Sequence, residues 1–376
     1  MCIRDRLEGV EAACDTKSDL DLDLLDGMAS MVDKSLMQQL EQPNGESRFV
    51  MLETIREYAS EKLQASGEEL STKRAHAAYC LILAEEVTSE QTGAEAAQWL
   101  ERLTLDHDNF RAALEWLTQT GDAAWGLRLG AALFRFWETR EYLAEGRDSL
   151  GKLLKIPAAA DRTKPRARAV FSAGVLAIEQ GDYTSGNALV SESLDIAREL
   201  HDNQGVAVGV NALAVLARDQ GNLALAHSMF EEGLALWRES GDQKAVARSL
   251  SNLASVVKLQ GDYPRARSLY AECLAIFREL GDRTGVAWSL NSQGDVARDQ
   301  GDFAAAQTLY EKSLAIFQEL NDRWGIAGSL ADLGNIAREQ RDCPTAHSFY
   351  REKMCIRDRS YTTSLPIRVI LPGRPW

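Results

Sequence analysis

The sequence predicts an all-α fold, a stack of helical hairpins, with a single β-hairpin near its start. Three observations predict it. The chain repeats every 40 residues from about Arg162, each repeat carries helix start and stop signals at fixed places, and a turn signal separates two short runs before residue 53.

The first element is an oddity. The hexamer MCIRDR occurs at Met1–Arg6 and again at Met354–Arg359, both outside the repeat register. The string resembles a translated sequencing adapter, because ATG-TGT-ATA-AGA-GAC-AG reads M-C-I-R-D followed by R or S. The expectation is that residues 1–6 are adapter-derived, that 354–376 are adapter plus out-of-frame read-through, and that the natural protein is truncated at both ends. Ser360–Trp376 fits that, having three prolines, no acid and no helical period. A genuine tail without regular structure is the alternative.

Residues 7–70 are read next. Asp23–Leu36 places Leu25, Met28, Val32 and Leu36 on one helical face. Met37–Glu41 and Arg48–Leu52 flank QPNGES, where Asn44-Gly45 signals a hairpin. Thr54–Ala65 returns to helix, with Ile55, Tyr58, Ala59 and Leu63 on one side. Helix, hairpin, helix is the order at the end of a winged-helix domain, so a partial one is expected here. Residues 71–160 read as a helical linker and a divergent first repeat, and 161–353 as the regular array.

In the array, take Asp282–Asn321. Asp282 can cap a helix start, and Ala287, Leu290, Gly294 and Ala297 follow at helical spacing. Gly301 falls where a positive φ ends the helix, and Asp302 can cap the next. Phe303, Ala306, Tyr310 and Leu314 mark the second stripe. Small residues recur at Gly174, Ala214, Ala254, Gly294 and Gly334, and again at Gly186, Ala226, Ala266, Ala306 and Ala346. An aromatic follows at Phe230, Tyr270, Tyr310 and Tyr350, expected to fill the space between neighbouring pairs. The last unit is expected to lose its second helix near Lys353, leaving Leu330, Leu333 and Ile336 poorly covered and open to aggregation or dimerisation.

These columns resemble the tetratricopeptide repeat family, which implies a right-handed superhelix of hairpins that binds protein or peptide on its inner face. LLDGMASMVDKSL, RFVMLETIREYASEKL and LDHDNFRAALEWL, with GAALFRFWETREYLAEGRDSL after them, resemble the segment following the nucleotide-binding module in NB-ARC-like signal-transduction ATPases, many of them bacterial transcriptional regulators. The phosphate-loop pattern G-x-x-x-x-G-K-[ST] is not in the sequence, so any ATP chemistry is expected upstream, with no cofactor and no catalytic residue in this stretch.

The resemblance also implies the site. In the fourth unit the inner-face positions are Trp288, Asn291, Asp295 and Arg298. The last column is cationic throughout, at Arg218, Lys258, Arg298 and Arg338, and suits a carboxylate or acidic peptide. Asn211, Asn291 and Asn335 would bond a peptide backbone. Another reading of the cations stays open: near helix C-termini they offset the macrodipole, and Asp219, Asp299 and Glu339 follow three of them.

Composition narrows the rest. In 376 residues, 45% are hydrophobic and 26% charged, and the net charge of −14 argues against broad phosphate-backbone binding. No run of eighteen apolar residues spans a membrane, no signal peptide opens the chain, and six scattered cysteines suggest neither disulfides nor zinc, so cytoplasm is the default. The five histidines lack metal spacing, and Cys273 takes a small-residue position. Trp237, Trp288 and Trp324 stand at repeat faces, for packing or for ligand stacking. Lys34 and Arg48 on the hairpin are the candidate DNA contacts, although Asp19, Asp21, Asp23 and Asp26 crowd the helix before it. Three functions remain: the sensor half of a signalling ATPase or transcriptional regulator, whose intramolecular partner is a missing nucleotide-binding domain; a free-standing peptide-binding adaptor; or DNA binding through the winged-helix remnant.

Overall fold

A helix with one apolar face needs a partner, and each 40-residue unit supplies two helices that cover each other. The computed structural model describes residues 6–14, 24–41, 47–89 and 94–361, with backbone alone at 87–89, 94–97 and 355–361. It divides into two compact units between His201 and Asp202.

The first unit opens with α1 (Leu7–Cys14) and α2 (Leu24–Asp33). Strands β1 (Met37–Glu41) and β2 (Ser47–Met51) pair antiparallel, in register from Met37 with Met51 to Glu41 with Ser47. The expected Asn44-Gly45 turn, and Asp19, Asp21 and Asp23, lie outside the described residues. Helix α3 (Glu53–Ser66) follows, so the expected order of helix, hairpin and helix is present. The core of this module is Met28, Met37 and Met51, flanked by Met31, Val32 and Phe49. Leu25, Leu36 and Tyr58, expected on buried faces, are exposed. Helix α2 stops at Asp33, and Ser35 turns the chain with a φ of +60°, which carries Leu36 off the helical face.

Then come α4 (Glu69–Ser89), α5 (Ala94–Leu105), α6 (His107–Thr120), α7 (Ala123–Ala132), α8 (Phe134–Thr139) and α9 (Leu143–Leu154). A 3-10 turn at Pro157–Ala160 leads to α10 (Lys164–Glu179) and α11 (Tyr183–Glu199), the first regular hairpin. In the stretch expected to hold a divergent repeat, α7 and α9 pack on each other. A Cβ built on Gly126 would stand 2.5 Å from Leu153, and one on Gly130 would stand 2.8 Å from Leu150, so the two helices approach at glycine.

The second unit holds α12 (Asn203–Asp219), α13 (Leu223–Ser240), α14 (Gln243–Leu259), α15 (Tyr263–Glu279), α16 (Arg283–Asp299), α17 (Phe303–Glu319), α18 (Arg323–Glu339) and α19 (Cys343–Tyr361). The caps are as read. Asp242, Asp262, Asp282, Asp302 and Asp322 each accept a bond from a backbone N–H of the first turn. Gly221, Gly261 and Gly301 reverse the chain at positive φ, and Arg341 adopts the same conformation at +63° without being glycine.

Packing corrects two expectations. The first concerns the aromatic column, which fills the space within hairpins. A Cβ on Gly294 would lie 2.6 Å from the Tyr310 ring, and one on Gly334 would lie 2.7 Å from the Tyr350 ring. A second column does the work between hairpins: Phe277 of α15 fills the space at Gly285 of α16, and Phe317 of α17 that at Gly325 of α18. The second correction concerns the end of the array. Helix α19 continues past Lys353 and lies along α18, so Leu330, Leu333 and Ile336 are buried, and the expected liability there is withdrawn. Among the described residues, no helix is long and apolar enough to cross a membrane.

Gly325→Ala should destabilise the chain by about 1–3 kcal/mol, because its methyl would stand 2.3 Å from a fully buried ring. Gly328→Ala, three residues on, meets nothing nearer than 3.9 Å and should gain roughly 0.5–1 kcal/mol of helix propensity. Urea unfolding of the two variants tests the opposite signs.

Candidate binding face of the helical repeats

The first helices of the four complete hairpins in the second unit, α12, α14, α16 and α18, approach one another directly along the stack, more closely than the second helices do. That puts them on the inside of the curve. Spacing of three and four residues then aligns Asn211 and Arg218 on α12 with Lys258 on α14. It aligns Trp288, Asn291, Asp295 and Arg298 on α16 with Asn335 and Arg338 on α18.

These side chains bind each other from one hairpin to the next, and two of them also take a tyrosine hydroxyl from the second helix of their own hairpin. The Asn252 amide donates to Asn211 Oδ1 at 3.3 Å, and Arg218 donates to the Ser255 hydroxyl at 3.3 Å. Lys258 reaches Asp295 at 3.7 Å and Asp299 at 3.4 Å. The Asn291 amide donates to Asp332 at 3.1 Å. The Tyr310 hydroxyl donates to Asp295 at 2.7 Å, and that of Tyr350 to Asn335 at 2.8 Å.

The cationic column is therefore largely occupied. Arg218 pairs with Asp219 at 2.9 Å. Arg298 pairs with Asp295 at 3.3 Å and Asp299 at 3.1 Å, and reaches Asp332 at 4.0 Å. Those carboxylates hold the Arg298 proton more tightly than usual, against the opposing effect of burial. Arg338 is exposed, and no ion pair with Glu339 forms among the described residues. The acid clamp expected from Arg218, Lys258 and Arg298 is thus filled by the protein's own acids. The reason is geometric: Lys258 faces the carboxylates of the next inner helix, while Arg218 and Arg298 pair at short range with acids of their own helix.

Sequence reading missed Asn252, Ser255 and Asp332. Asn252 and Asp332 stand 80 residues apart, two repeats, one position after the asparagine column, and that register was the available signal. Burial, then the neighbouring charge of Asp295, push the Asp332 carboxyl up to about 6. Burial and Asp295 also raise the Tyr310 phenol far out of its ordinary range.

At the other end of α16, Trp288 packs edge-on to Phe317 with centroids 4.9 Å apart, and lies 5.0 Å from Trp324 at an angle of 50°. Trp324 is 49% exposed, whereas Trp237 is buried. Cys273 is buried beside the Ser289 hydroxyl at 3.3 Å, and burial raises its thiol to about 11, which fits packing and no nucleophilic role.

In the first unit, Arg48 has no exposure at all and forks onto Asp106 at 2.7 and 3.2 Å while donating to the Leu105 carbonyl. It cannot be the DNA contact expected of it. Its place one step into β2 aims it at the start of α6, where it fixes the hairpin; Lys34 alone is exposed. The fold brings His76 within 3.4 Å of Cys80 on α4, but burial lowers His76 to about 4, so the imidazole stays neutral and activates no thiolate. Among the described residues no group of histidines, cysteines and acids has metal-site geometry.

With this geometry in place, the class of protein is clear: residues 207–240, 245–319 and 293–352 match the tetratricopeptide repeat family, and these hairpins are tetratricopeptide repeats. Curated relatives provisionally named HTH-type transcriptional regulators, from Mycobacterium tuberculosis and Mycobacterium bovis, are 32% identical over 193 residues. The match takes in 49% of this chain and 22% of each relative, so the chain spans about a fifth of their length. The fold is similar to the apo form of RapI, with a TM-score of 0.57 and 14% identity over 69% of this chain and 93% of that one. It is similar also to a Signal Transduction ATPase with Numerous Domains from Pyrococcus horikoshii that carries a tetratricopeptide repeat sensor. There the TM-score is 0.52 and the identity 14%, over 95% of this chain and 58% of that one.

Two outcomes are expected. Asp106→Ala strands Arg48 as a buried charge and should cost about 3–5 kcal/mol in urea unfolding. Asp332 should show a pH signature. Its folded pKa of about 6 exceeds the ordinary 3.8, so the unfolded chain releases this proton first and stability falls as pH rises from about 4 to about 6. Asp332→Asn keeps an acceptor for Asn291 and should raise Tm at pH 7.5 while changing nothing at pH 4, as thermal melts at both values would show.

Proposed function

We propose that the repeats bind a protein or peptide segment along α12, α14, α16 and α18, as the sensor half of a signalling ATPase or transcriptional regulator. The observation that carries this reading is the chain of polar side chains linking four successive inner helices. Amides and carboxylates in a groove supply donors and acceptors for a partner's backbone. The similarity in fold to the repeat-sensor ATPase, and the curated regulators, support the regulatory context.

Regulation of this kind needs a partner whose affinity differs between two states of the whole protein. A nucleotide-binding region in the same protein would be held in one state and released in the other. The free-standing adaptor reading shares the binding face and drops only this coupling. DNA binding through the first unit is disfavoured by Arg48, whose guanidinium is committed to Asp106.

The test is selection of a random dodecapeptide library on the intact chain, followed by calorimetric titration. Asn211→Ala with Asn335→Ala should weaken the selected peptides at least roughly tenfold, the loss of one or two hydrogen bonds, without lowering Tm by more than a few degrees. Equal affinity for the double variant would move binding off this face. Reading the parent gene upstream separates the first two functions: an in-frame phosphate loop supports the ATPase sensor, and its absence there supports the adaptor.

A further inference from the structure

Where the partner lies across α16 and α18, we propose that it inserts a lysine or arginine side chain between the Trp288–Trp324 ring pair and the Asp332 carboxylate. This rests on the binding face proposed above and names the chemistry of its occupant. It also reverses the sign of the partner's charge expected from the cationic column.

Among the described acids of this network, Asp332 has the most distant cation, Arg298 at 4.0 Å. Its near partner is a neutral amide, Asn291, at 3.1 Å. Arg298 stands 4.0 Å away and is committed to Asp295 and Asp299 at shorter range. The other groups that act on it are Asp295, which opposes its charge, and Lys353, whose field is the weakest of those acting on it. Tyr310 turns its hydroxyl to Asp295. Lys258 serves Asp295 and Asp299. Still, 20% of the Asp332 side chain remains open to solvent. A group that costs stability and keeps an opening is placed for something outside the fold.

The rings stand in the right place. Trp288 reaches across to α18, where its Cη2 would be 3.9 Å from a Cβ on Gly328. Asp332 is one turn further along the same helix, roughly 6 Å on, and Asn291 is one turn from Trp288. An aliphatic stem can therefore lie on the indoles while its charged head meets the carboxylate, an arrangement that rewards cations twice.

The repeat itself does not require this. At the Trp288 position the other units have Val208, Arg248 and Gly328; at the Trp324 position, Gln204, Lys244 and Thr284; at the Asp332 position, Ala212, Asn252 and Ser292. The two indoles and the acid come together once in the array, and the acid shares its cation, Arg298, with two nearer carboxylates.

The experiment uses the intact chain and the dodecapeptides selected on it. They should be enriched in lysine or arginine. Replacing one such residue by norleucine or citrulline should weaken binding about tenfold, the equivalent of about 1.4 kcal/mol. In the Asp332→Asn and Trp324→Ala chains the same replacement should have little further effect, because the coupling is already lost. Peptides that need Asn211 and Asn335 but show no basic residue coupled to Asp332 would overturn the cation site and leave the binding face standing. Recovery of no peptide at all would overturn both.

Discussion

Everything in the repeats depends on how closely two helices can approach. At Gly294 and Gly334 a tyrosine ring occupies the volume a side chain would take, and at Gly285 and Gly325 a phenylalanine does so. Each ring buried this way contributes about 1.5–3 kcal/mol. Each also fixes a spacing: the tyrosine column sets the distance within a hairpin, and the phenylalanine column sets the step to the next. With both distances fixed, the inner helices fall into line, and residues 40 apart in sequence become neighbours.

That alignment explains why the inner face is polar and yet bonded largely within itself. Exposed ion pairs contribute little singly, and none of these is a large stabiliser. Their effect lies in order. Arg298 is held by three carboxylates on two helices, and Asp295 receives a tyrosine, a lysine and an arginine. A face built so presents fixed donors and acceptors, which a partner would meet without first having to order them.

Much of this was legible in the sequence, for local reasons. Caps and glycine turns act within a few residues, so Asp282, Gly301 and Asp302 announce their roles directly. The family resemblance, carried along the repeat register, implied inner-face positions at Trp288, Asn291, Asp295 and Arg298. What the sequence hid was every pairing across hairpins. Lys258 finds Asp295 and Asp299, 37 and 41 residues away, and sequence shows no preference for those over solvent. Arg48 was hidden for the same reason: a lone arginine on a short strand gives no sign of an aspartate 58 residues on. The phenylalanine column at Phe277 and Phe317 was visible, but one aromatic per repeat had seemed enough. The end of the array was misjudged because a change in composition after Lys353 was taken for the end of a helix.

The bridges from Asn291 to Asp332 and from Lys258 to Asp295 have a second consequence. They cross from one hairpin to the next on the inside of the bend, where the gap between helices is smallest. They act as ties across the mouth of a spring: shortening them tightens the coil, and cutting them relaxes it. Lengthening the Asn291–Asp332 bond would loosen one tie and leave more of the load on its neighbour. In such an array the length of the ties and the winding of the coil would vary together.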